Sequence, residues 1–92
     1  MVTFNTSNLK KVVSLARLDD YVGKVEVKMA KYDGNQYLEG VILLNIPTGD
    51  AMELRVLTRF NELLRNVWQS SFIQIGTRNR KPALFIYEQR GL

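Results

Sequence analysis

The side chains of this chain that can do chemistry are cations and flat rings set close together. Lys24 and Lys28 share one alternating stretch, Lys31, Tyr32 and Tyr37 surround Asp33-Gly34-Asn35, and Arg55 follows further on. Phe72 precedes the basic run Arg78-Asn79-Arg80-Lys81, and Phe85 and Tyr87 come directly after it. Lysine and arginine neutralise phosphates, while aromatic faces stack on bases at about 1–3 kcal/mol each with little regard to sequence. A single strand of nucleic acid asks for both residue types on one surface.

Other chemistries find little to work with. The 92 residues include no cysteine and no histidine, so disulfides, thiolate nucleophiles, imidazole bases and cysteine or histidine zinc sites are excluded. Glu26-Val27-Lys28 has the spacing of a metal-dependent nuclease strand, in which the carboxylate holds Mg²⁺ and the lysine steadies phosphate charge. The second acid would be Asp19 or Asp20, too near in sequence to come from a separate antiparallel strand. No Gly-rich phosphate loop is present. No catalytic residue, metal ligand or cofactor is therefore expected, and the chain reads as a binding protein. Its 13 basic and 9 acidic side chains, net +4, favour an anionic partner.

To bring the cations and rings together, the chain must fold as one unit, for 92 residues make a single domain with a modest core. Residues 7–18 read as an amphipathic helix capped by Ser7, with Leu9, Val12, Val13 and Ala16 on one face. Lys24 to Lys31 alternates, with Val25, Val27 and Met29 inward. Asp33-Gly34-Asn35 suits a tight hairpin into a second strand, Tyr37 to Ile46, interrupted by Gly40. Pro47-Thr48-Gly49-Asp50 makes a turn, and Met52, Leu54 and Val56 alternate with Glu53, Arg55 and Leu57 as a third strand. From Thr58 the period becomes helical through Phe60, Leu63, Leu64 and Val67, with Trp68 beside the stripe. Ser71 to Arg78 and Leu84 to Tyr87 form a last hairpin, with Ile73, Ile75, Leu84 and Ile86 inward and Phe72, Gln74, Phe85 and Tyr87 outward.

Three strands, a helix, then a hairpin is the element order of the oligonucleotide/oligosaccharide-binding fold, which the chain resembles from Gly23 to Arg90. The resemblance implies a five-stranded Greek-key barrel, with Gly40 and Gly76 as bend points and the amino-terminal helix as an extension. The rival is a flat α+β antiparallel sheet with helices on one face. In barrels of this type the ligand crosses strands two and three between the loops joining strands one to two and four to five.

The chain is thus similar to the compact single-stranded DNA-binding proteins of phages and mobile elements. The implied role is a replication or recombination accessory that binds single-stranded DNA or RNA without strong sequence preference. Lys24, Lys28, Lys31, Arg55, Arg78, Arg80 and Lys81 would meet phosphates, and Tyr32, Tyr37, Phe72, Phe85 and Tyr87 would meet bases. Self-association, as a dimer through the amino-terminal helix or an exposed edge strand, is expected because one barrel spans only about 4–16 nucleotides. The alternative is a protein-interaction module or phage-type inhibitor that docks on a larger machine, such as a replication complex, through Phe4, Val13, Leu15, Leu18, Tyr21 and Trp68. With no run long enough for a signal peptide or membrane span, a cytoplasmic location away from membranes is expected.

Overall fold

The computed structural model describes residues 2–46 and 54–89. Its elements are α1 (Thr6–Leu15), a 3₁₀ turn (Asp19–Tyr21), β1 (Val22–Tyr32), β2 (Asn35–Leu44), α2 (Leu54–Val67), β3 (Ser71–Arg78) and β4 (Lys81–Gln89). The strands form one antiparallel sheet in the order β1-β2-β4-β3. Both helices lie on one face of it, and among the described residues no element covers the other.

The expected barrel does not form. The fold is the rival arrangement, an open four-stranded sheet with two helices, and β1 and β3 are edges that never meet. The missing strand is the one assigned to Met52–Leu57. Leu54, Arg55, Val56 and Leu57 belong to α2, because the helical stripe of Phe60, Leu64 and Trp68 continues back through Val56 and Leu57. Alternation over three apolar residues fits either period, and the longer helical register prevails. The turn expected at Pro47–Asp50, and Met52 and Glu53, fall outside the described residues.

Helix α1 begins at Asn5, one position before it and not at Ser7, as the Asn5 side chain accepts a hydrogen bond from the Asn8 backbone N–H at 2.8 Å. It ends with Arg17 in the left-handed region at φ 59°, where the Arg17 and Leu18 N–H groups donate to the carbonyls of Ser14 and Val13. That pattern of return bonds is a Schellman motif, with arginine where glycine is usual. Helix α1 is not an extension of the fold. Leu9, Val12, Val13 and Ala16 are buried against the sheet and α2, together with Phe4, Leu18, Phe60, Leu64, Ile42, Leu84 and Ile86.

Strand register sorts the remaining residues by face. Val25 lies opposite Ile42, and Val27 opposite Gly40, which in turn faces Ile86. A Cβ at Gly40 would stand 2.8 Å from Leu9 Cδ2 and 3.1 Å from Phe4 Cζ, so this glycine is a seat for α1 and its leading segment rather than a bend. That segment is also held by Trp68, whose Nε1–H donates to the Val2 carbonyl at 2.8 Å and whose ring meets Phe4 edge-on with centroids 4.8 Å apart. The apolar docking surface expected for a partner is therefore dismantled. Phe4, Val13, Leu18 and Trp68 are interior, Tyr21 is half-buried, and only Leu15 is well exposed.

Candidate functional site

A period of two puts alternate strand residues on opposite faces, so the face away from the helices can be read across the four strands in rows. One row is Lys28, Glu39, Tyr87 and Phe72, and the next is Glu26, Val41, Phe85 and Gln74. Beyond it come Lys24, Leu43, Ala83 and Gly76, and then Arg78 opposite Lys81. On the other side of the first row lie Ala30 and Tyr37. Eight of the twelve residues singled out from the sequence thus share this face: Lys24, Lys28, Tyr37, Phe72, Arg78, Lys81, Phe85 and Tyr87.

The rings are held in defined poses. Phe72 and Tyr87 stack across β3 and β4 with centroids 5.2 Å apart and planes 28° from parallel. Phe72 is 53% exposed, so the stack leaves much of its surface free. Phe85 leans over Gly76, where an added Cβ would stand 3.1 Å from its Cε2, and the Arg78 guanidinium lies 5.8 Å from its ring centre. Gly76 therefore makes room for a ring. Such a cation over an aromatic face is favourable by about 0.5–1 kcal/mol when exposed.

The surroundings of Tyr87 move its titration. Burial first, and then the Glu39 carboxylate beside its hydroxyl, push the phenol above its ordinary pKa, while Arg78 pulls it part of the way back. A depression of about 480 Å³ opens beside it, lined by Ala30, Lys31, Tyr37, Glu39, Phe72 and Gln74. Its mix of rings, an amide and both signs of charge suits a flat polar ligand.

The two basic loops do not flank one groove, as the barrel would require. In the β2–β4 register Tyr37 faces Gln89 and Leu43 faces Ala83, so the β1–β2 and β3–β4 turns lie at opposite ends of the sheet. Lys31 is at one end, of helix-side parity although it borders the depression beside Tyr37, and Arg80 is at the other. The expected four-residue basic loop is a two-residue turn, with Asn79 and Arg80 at φ 53° and 66°, between Arg78 and Lys81 at the strand ends. Positive φ at both positions is the primed turn that matches strand twist, and glycine is preferred at the second. Arg55 is separated from the rest, being exposed on α2. The Tyr32 side chain lies outside what is described.

Between the cations and the rings the face is completed by Glu39, outward as its parity implies, and by Val41, Leu43 and Ala83, which the sequence did not single out. The parity of β2 and β4 was the available signal, since all four are odd-numbered like Tyr37, Phe85 and Tyr87. Glu26 and Glu39 offset part of the positive charge, and Glu26 sits 4.0 Å from Lys24 Nζ with both side chains well exposed. An ion pair of that kind contributes at most about 1 kcal/mol and yields readily to another anion. Among the described residues no three acidic side chains gather as a metal site needs, and no helix is long and apolar enough to cross a membrane. No family model, curated protein or solved structure matches the chain.

Proposed function

We propose that the open face of the sheet binds single-stranded nucleic acid with little sequence preference. The observation that carries this reading is the placement of four cations and four rings on the one sheet face that no helix covers. A strand lying along β4 meets Lys81 and Arg78 at one end, Phe85 in the middle, and Tyr87 and Phe72 beyond, with Lys24 and Lys28 to one side. Lys81 to Tyr87 spans about 20 Å of extended chain, room for a few nucleotides. Phosphates pair with the cations and release counterions, and bases stack on the exposed part of Phe72 and on Tyr37.

Arg80 adds support. A side chain with a Cβ in the left-handed region costs about 1 kcal/mol relative to glycine, and the first hairpin uses Gly34 at φ 77° in the equivalent place. A cation kept at the tip against that cost is what a functional contact would produce.

The test compares two faces of the molecule. Lys28→Ala with Arg78→Ala should reduce the slope of log affinity against log salt by about 1.4, at about 0.7 per lost phosphate contact on a single strand. Lys10→Ala with Lys11→Ala, on the exposed side of α1, should leave the slope alone. Equal effects from the two pairs would remove the sheet face as the site.

A further inference from the structure

The two edges of the sheet are finished differently. Along β1 the outer edge carries Lys24, Glu26, Lys28 and Lys31, and the outward Val27 N–H donates to Thr6 Oγ1 of α1 at 3.0 Å. Charged side chains and a covering helix are the ordinary means of keeping an edge from pairing with another chain. Strand β3 has no charge from Ser71 to Thr77, and no proline. It also exposes large apolar groups on both faces, Phe72 at 53% and Ile75 at 67%. A shallow groove of about 410 Å³ runs beside it on the helix side, lined by Leu57, Asn61, Ile73, Ile75 and Leu84.

We propose that β3 is a pairing edge whose partner is β3 of a second copy, antiparallel across a two-fold axis through Gln74. The sequence is self-complementary about that residue. Ile73 falls opposite the second copy's Ile75 on the helix side, beside the groove, and Phe72 falls opposite its Gly76 on the open side. Gln74 meets Gln74, two amides that can satisfy each other. An isologous contact of this kind closes on itself, so it yields a dimer and not a fibre. A two-fold axis perpendicular to the sheet keeps like faces on the same side. The result is one continuous eight-stranded sheet, within the usual range of sheet sizes. The pairing does not depend on nucleic-acid binding, though it would double any surface used for that purpose.

The chain contains no cysteine, which permits a direct test. Gln74→Cys should cross-link to a covalent dimer under mild oxidation, because residues facing each other across antiparallel strands bring their Cβ atoms to about 4.5–5.5 Å, within small adjustment of disulfide geometry. Met29→Cys, on the β1 edge, should not. In sedimentation velocity over a concentration series the unmodified chain should reach a dimer mass. Ile75→Lys should weaken the dimer by roughly tenfold or more with an unchanged circular dichroism spectrum, while Met29→Lys should leave it intact. A monomer at every concentration, a dimer that survives Ile75→Lys, or cross-linking through Met29→Cys in place of Gln74→Cys would each overturn the proposal.

Discussion

Phe72 and Tyr87 stack face against face at 5.2 Å, from neighbouring strands, on the side of the sheet that carries no helix. Tyr87 stands opposite the Glu39 carboxylate across β2 and β4, and Phe72 is the ring with the most surface free for a ligand. Phe72→Ala is accordingly expected to cost the fold less than about 1 kcal/mol, the scale of a cross-strand aromatic pair. It should cost single-strand affinity about 1–3 kcal/mol. Urea denaturation and an oligonucleotide titration on the same variant separate the two effects.

Tyr87 also gives the fold a pH signature. Its pKa in the folded chain is raised, so above the ordinary tyrosine pKa of about 10 the unfolded chain has lost a proton that the folded chain still holds. Stability that is fully present below that pH must then fall as pH rises through the folded value. Tyr87→Phe removes this contribution, and its urea midpoint should decline less steeply on the alkaline side. Parallel profiles for the two proteins would contradict the assigned surroundings of the phenol.

The two glycines inside the strands should respond differently to the same substitution. Gly40→Ala places a methyl group 2.8 Å from a side chain that is itself fully buried, Leu9, with the Phe4 ring close behind. Neither has space to withdraw, and overpacking of this kind costs about 1–3 kcal/mol. Gly76→Ala meets only the Phe85 ring, which lies on the open face and can tilt, so the change should be near neutral in stability. Denaturation midpoints for the pair decide the matter.

Arg80→Gly is expected to act in opposite directions on folding and binding. Relief of the left-handed arginine should raise stability by about 0.5–1 kcal/mol, read as a higher thermal midpoint. Loss of the cation should lower single-strand affinity and its salt dependence at the same time. A variant that is stabilised and binds unchanged would show that the turn serves only the hairpin.

Local patterns in the sequence located most of the parts. The alternation of Lys24 to Lys31, the Asp33-Gly34 turn and the Ile73–Ile86 hairpin all define strands where they were expected, and their parity already put Phe72, Phe85 and Tyr87 on one side. What the sequence did not carry was the length of α2. Met52, Leu54 and Val56 alternate with a period of two, yet Val56 and Leu57 also stand four and three positions before Phe60 as a helical stripe requires, and reading the segment as a strand supplied the fifth member that a barrel needs. From that one error followed closure of the sheet, the groove between two basic loops, and the use of Arg55. The role of the glycines was hidden for a different reason, since Gly40 and Gly76 are required by residues distant in sequence, Leu9, Phe4 and Phe85. Burial of Trp68 follows from its size and its place beside the helical stripe, but its partnership with Phe4 joins residues far apart in the chain, which no local pattern encodes.

The central claim is that the uncovered sheet face takes up a single strand through charge and stacking together. It is tested most directly by fluorescence anisotropy of labelled single-stranded and duplex oligonucleotides, titrated with the unmodified protein at a low and a physiological salt concentration. Tighter binding of the single strand, weakening steeply as salt rises, is the predicted result. Absence of binding at low salt, or a preference for duplex, would contradict it.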